Sequence, residues 1–211
     1  MNTNPVGRAA PSISTLKNYS AFLADAKEVI WQPLYDIQTY AQAGQLNLNY
    51  FQVPAGQSSK TYADTNMEMG GQLSAGMNFL CVAIELQFYP AGNIEHTAAN
   101  NFADDTYNVF RPGAWLELNL LQKNYLREAP LGVFPQQVGL DGFTSTNLAA
   151  AADGSLNTYA RQCGPLYQIT PVRIPASQNF NVKITWPAVQ AISAAAKLGV
   201  RLLGFTFRNA Q

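Results

Sequence analysis

Histidine, the usual base beside an enzymatic nucleophile, occurs once in this chain, at His96. A hydrolytic triad needs such a base within hydrogen-bond reach of a serine or cysteine. His96 sits in a polar stretch after a turn and reads as a solvated loop residue. No G-x-S-x-G, G-x-x-x-x-G-K-[ST] or G-x-G-x-x-G is present, so the common nucleophile-bearing and phosphate-cradling turns are missing. Asp104-Asp105 offers two carboxylates for a cation such as calcium, but adjacent residues on a strand point to opposite faces. That pair reads as a solvated strand edge. Glu85 and Glu117 would make a glycosidase-like pair only if their strands were neighbours; exposed or inter-subunit salt bridges are the simpler reading. Cys81 and Cys163 are too few for a disulfide framework or a four-ligand zinc site. Cys81, inside an apolar run, reads as a buried free thiol in a chain made in the cytoplasm and kept reduced. The expectation is a non-enzyme with no metal and no cofactor.

Charge is scarce and unevenly placed. Charged residues make up 12% of the chain, where about 25% is usual. Residues 1–105 carry four Lys/Arg and nine Asp/Glu, and residues 106–211 carry nine and four, so a net charge of zero conceals halves of −5 and +5. Arg161, Arg173, Lys183, Lys197, Arg201 and Arg208 lie in residues 154–211, which contain no acid. They are too dispersed for a strong nucleic-acid patch. Arg161, Arg173, Lys183 and Arg201 are the candidate contacts to another subunit or to nucleic acid, with pairing inside the chain as the third possibility. Amides take the place of charge, with 18 Asn and 16 Gln among 211 residues. An amide both donates and accepts, at less desolvation cost than a charge. Such a surface suits a protein packed against neighbours.

The elements that must position these residues follow from periodicity. Met1–Asn18 is polar, with two prolines, and reads as an arm ordered by another subunit. Ser20 can cap a helix bearing Phe22, Ala26, Val29 and Ile30 on one face, followed after Pro33 by short amphipathic turns through Leu34, Ile37, Tyr40 and Ala41. Gly44 ends that region, and Leu46, Leu48 and Tyr50 open the first strand. Asn78–Tyr89 is the clearest strand, with Leu80, Val82, Ile84, Leu86 and Phe88 as the core face and Cys81, Ala83, Glu85 and Gln87 opposite. Pro90–Asn93 is a turn. Thr106–Phe110 reads as a short strand, Arg111–Gly113 as a turn, and Ala114–Leu121 as a strand that Tyr125 and Leu126 extend or follow. Pro130–Gln162 reads as a long loop with one helical turn. Strand alternation returns over Leu166–Ile174 and Phe180–Trp186, Pro187 starts a helix through Lys197 stopped by Gly199, and Val200–Phe207 is the last strand.

These patterns predict an all-β fold: a single antiparallel jelly-roll sandwich of about eight strands, with an N-terminal arm and helix and one short helix before the last strand. An immunoglobulin-like sandwich and an irregular barrel are the alternatives. Residues 1–44 form the arm and amphipathic helical segment, and residues 45–211 the jelly-roll domain. The polar arm, the lead Thr65-Asn66-Met67-Glu68-Met69-Gly70-Gly71 into the long strand, and Asn179-Phe180-Asn181-Val182 before the closing Leu202-Leu203-Gly204-Phe205 together resemble jelly-roll capsid subunits of non-enveloped icosahedral bacteriophages. The resemblance implies a structural subunit of the virion with one barrel per chain. Its partners would be copies of itself and other capsid proteins, with the packaged genome or an internal viral membrane against the inner face, and no small-molecule substrate. A tailed-phage head decoration protein is an alternative of the same class. A carbohydrate-binding sandwich, stacking sugars on Trp115, Tyr125 and Tyr159, is an alternative of a different class.

Overall fold

The computed structural model describes residues 19–24, 26–89, 102–110, 113–134, 138–144, 156–162 and 166–209. For residues 102–104, 138–144, 156–162 and 209 only the backbone course is described. The arm at Met1–Asn18, the turn at Pro90–Asn93, His96, Arg111-Pro112, Leu148–Ala152 and Cys163 lie outside these residues.

Eleven strands are described: β1 (Ala26–Trp31), β2 (Leu34–Tyr40), β3 (Asn47–Tyr50), β4 (Met77–Tyr89), β5 (Trp115–Leu120), β6 (Lys123–Glu128), β7 (Val138–Thr144), β8 (Leu156–Gln162), β9 (Tyr167–Ile174), β10 (Phe180–Thr185) and β11 (Ala196–Asn209). One α-helix, α1 (Phe102–Phe110), separates β4 from β5. The first sheet runs β1-β11-β4-β9, with β2 continuing the β1 edge along β11; the second runs β3-β10-β5-β6. All pairings are antiparallel. With β1 and β2 taken as one leading strand, this order places first beside last in one sheet and second beside penultimate in the other. That is the double Greek key of a jelly roll. The β7–β8 hairpin is inserted between β6 and β9 and forms a sheet of its own.

Apolar alternation explains the sandwich. Leu116, Leu118 and Leu120 on β5 and Phe180, Val182 and Ile184 on β10 are buried in register with one another. They share one core cluster with Ile84, Leu86 and Phe88 of β4 and Leu198, Val200 and Leu202 of β11. β4 departs from the expected single core face. Its register with both neighbours slips between Cys81 and Ala83, and a one-residue insertion exchanges the faces of a strand. Phe79 and Cys81 therefore join Ile84, Leu86 and Phe88 in the main core, whereas Leu80, Val82 and Ala83 join Leu203, Phe205 and Phe207 in a second cluster. Trp31 and Tyr19 pack their rings on Phe205 at 5.0 and 5.5 Å. β4 is thus buried on both faces.

Five expected elements are corrected. The helix after Ser20 is a 3-10 turn at Ser20–Phe22 followed by β1. Val29, Ile30 and Trp31 favour extended backbone, and pairing with β11 decides it. The amphipathic turns expected from Leu34 to Ala41 are replaced by β2, so the described part of residues 1–44 holds no α-helix and only the 3-10 turn at Ser20–Phe22. Thr106–Phe110 is the end of α1, with Asp105 and Val109 buried one turn apart. Residues 187–195 form no helix. They make a loop pinned by Ile192 N–H to the Gln42 carbonyl at 2.9 Å and by the Tyr40 hydroxyl to the Gln190 carbonyl at 2.7 Å. The stretch expected as a long loop, Pro130–Gln162, contains a 3-10 turn at Leu131–Val133 and both strands of the inserted hairpin.

Candidate functional site

The three basic candidates whose side chains are described, Arg173, Lys183 and Arg201, do not converge. Arg201 lies on the outer face of the first sheet, in register with Glu85 of β4, and donates from Nη1 to Glu85 Oε1 at 2.7 Å. Glu85 is completely buried, so this ion pair lies within the chain. Arg173, in register with Leu80, stacks its guanidinium 5.1 Å from the Phe207 ring centre. Lys183 is on the opposite sheet, in register with Glu117. Arg161 lies on β8, in register with Gly139, and its side chain is outside the described residues. Lys197 joins Asp64 at 2.7 Å. Two cations of the acid-free segment therefore pair with acids from the first half of the same chain, and the charge division is partly consumed internally.

The carboxylate candidates separate likewise. Glu85 and Glu117 lie on different sheets, and Glu117 accepts from Arg127 Nε at 2.6 Å, which rules out a glycosidase pair between them. Asp105 is a buried residue of α1 and not a strand edge. Its oxygens accept from the backbone N–H of Ser193 at 2.7 Å and from the Ser193 hydroxyl. No group of three or more His, Cys, Asp or Glu able to hold a metal occurs among the described residues. Cys81 is a fully buried free thiol, as expected, and burial pushes its pKa far up.

One buried charge is purely architectural. Asp36 of β2 is fully buried, pairs with Lys60, and accepts from the Phe51 N–H at 2.6 Å and from Gln38 Nε2 at 3.1 Å. Burial raises its pKa, and the Lys60 hydrogen bond opposes that shift. These contacts hold Phe51 in the left-handed region at φ 67°, a conformation an L-residue resists, and fasten the segment after β3 to β2.

The β1 edge is exposed and partly apolar. Lys27, Glu28, Val29 and Ile30 are all exposed, with Val29 at 36% and Ile30 at 46%. Among the described residues β1 pairs on one side only, with β11. Soluble monomers normally blunt such an edge, because its free backbone groups and apolar side chains invite pairing. The helical spacing assigned to Val29 and Ile30 concealed this surface. Of the aromatic candidates, Trp115 opens β5 and Tyr125 lies within β6, beside the slip in register at Leu118 and Asn119; the Tyr159 side chain lies outside the described residues. No protein-family model, curated protein or solved structure was found to match this chain.

Proposed function

We propose that this chain is a structural subunit of a non-enveloped icosahedral bacteriophage capsid, located in the virion and assembling with copies of itself and other shell proteins. The observation that carries the reading is the β1 edge on a jelly-roll frame: Val29 and Ile30 are exposed on a strand that, among the described residues, is paired on one side only. Capsid domains are among the recurrent users of this fold, although fold alone does not fix function. A charge-poor, amide-rich composition adds support, because lateral contacts between subunits then desolvate few charges.

Electron microscopy and sedimentation of the purified chain test the proposal. Closed particles of uniform size are expected. Ile30→Asp should abolish them while leaving the far-UV spectrum and thermal transition of the subunit intact. A monodisperse monomer at all concentrations, which also fails to join a shell built by another protein, would refute the reading. Addition only to a preformed shell would identify a decoration subunit.

A further inference from the structure

Six of the 18 Asn and 16 Gln residues meet at one place. Two adjoining hollows, of about 390 and 800 Å³, open on the outer face and end of the second sheet and share Leu121 and Asn179. Six amide residues line them: Gln52, Asn119, Gln122, Gln178, Asn179 and Asn181. Lys123 is the single charged lining residue, and its ammonium sits 4.9 Å over the Tyr125 ring.

The amides are ordered across the strands. Asn124 Nδ2 donates to Asn119 Oδ1, and Asn119 Nδ2 donates to Asn181 Oδ1, each at 3.1 Å. A carboxamide has two donor hydrogens and two acceptor lone pairs. Asn119 therefore keeps one of each for a ligand, and Asn181 keeps its whole NH₂ group. Gln52 Nε2 donates to the Phe180 carbonyl at 3.2 Å and is held against the same wall. Leu121, where the hollows meet, has φ 54° and is 60% exposed. This left-handed backbone belongs to the tight turn between β5 and β6 and turns the Leu121 side chain out to solvent. Its N–H is fixed to the Asn179 carbonyl at 2.7 Å.

We propose that this cleft binds a neutral oligosaccharide. Sugar hydroxyls each donate and accept, so a vicinal pair matches the adjacent donor and acceptor of a carboxamide. Tyr125, 44% exposed, and Leu121 offer apolar surface to the C–H faces of pyranose rings. The lining holds no carboxylate and one engaged cation, which disfavours a polyanion such as nucleic acid, whose binding requires several cations. β5 and β10 are each paired on both sides, so a peptide cannot add as a strand to either of them. The ligand is read by side chains.

The test screens the full chain, assembled or not, against an immobilised panel of neutral and charged oligosaccharides, with the tightest binder titrated by calorimetry. Saturable binding to a neutral glycan is expected. Asn181→Leu should weaken it about three- to tenfold, the range of one net hydrogen bond, and Tyr125→Ala at least as much. Tyr62→Ala, an exposed residue beside the opposite sheet, should leave it unchanged. Near-UV circular dichroism verifies that the variants fold. The proposal is overturned if no neutral glycan binds, if only charged glycans bind, or if binding ignores both cleft substitutions. It is equally overturned if those substitutions disrupt self-association while no glycan binds, which would make the cleft a contact between copies of this chain.

Discussion

Glu85 shows how far one side chain can depart from its sequence context. Alternation places it on the face opposite Leu80–Phe88, where a substitution would cost about 0.5 kcal/mol or less. In the folded chain it is fully buried against Arg201, and removing one partner of a buried pair typically costs about 3–5 kcal/mol. Urea denaturation should therefore rank Glu85→Ala beside Ile84→Ala, a core truncation worth about 2–5 kcal/mol. The double variant Glu85→Leu with Arg201→Met should recover most of the loss, since well-packed apolar replacements of buried pairs are often neutral. Tyr167 gives a pH signature. Its hydroxyl donates to Glu128 Oε2 at 2.5 Å, and this bond, aided by burial, pushes its pKa up to about 12 from the ordinary 10. Between those values the unfolded chain loses a proton that the folded chain keeps. Stability linked to Tyr167 is thus complete below pH 10 and lost as pH rises through 12. Denaturation midpoints across that window should fall less steeply for Tyr167→Phe than for the unaltered chain.

Among the elements, β4 and β11 set the architecture, and their shared irregularity is the sensitive point. The slip in register beside Gly204 lets β4 present Phe79 and Cys81 to one layer and Leu80 and Val82 to the other. A Cβ at Gly204 would lie 1.9 Å from the Leu80 carbonyl oxygen and 2.8 Å from its carbon. Backbone atoms cannot rotate aside as a side chain would, so the strands must separate. Gly204→Ala should cost at least the about 1–3 kcal/mol typical of overpacking, read as a lower thermal midpoint. Gly132→Ala, where the nearest atom is 3.9 Å away, should be nearly neutral. Equal midpoints for the two variants would show that the register slip is not fixed by close backbone approach.

For the whole molecule, the division of charge between halves gains a different meaning from the one its sequence suggests. Lys197 and Arg201 find Asp64 and Glu85 within the chain, which leaves fewer charges for contacts between subunits. If the open β1 edge and amide surface carry assembly, particles should survive a rise in ionic strength from about 0.1 to 1 M, which shortens the screening length from about 10 to 3 Å. Light scattering across that series checks it. Dissolution by salt would return the contacts to charged residues, with Lys183 the first to test by reversal to Glu.

The sequence alone determined the all-β class and the strands at Asn78–Tyr89, Ala114–Leu121, Phe180–Trp186 and Val200–Phe207, because period-two alternation is local; it also marked Leu80, Ile84 and Phe88 as buried, but not that the slip between Cys81 and Ala83 puts Leu80 on the opposite face from the other two. It also carried the amide excess, but as a count without a location. Tertiary structure decided what depends on partners distant in the chain. Val29–Trp31 became a strand because β11 lies alongside; Glu85 was buried because Arg201 crosses from 116 residues away; and Asn119, Asn124 and Asn181 formed a row because β6, β5 and β10 are neighbours in the sheet. Local spacing sets which way a side chain points along its own strand, and only sheet order sets what it meets there.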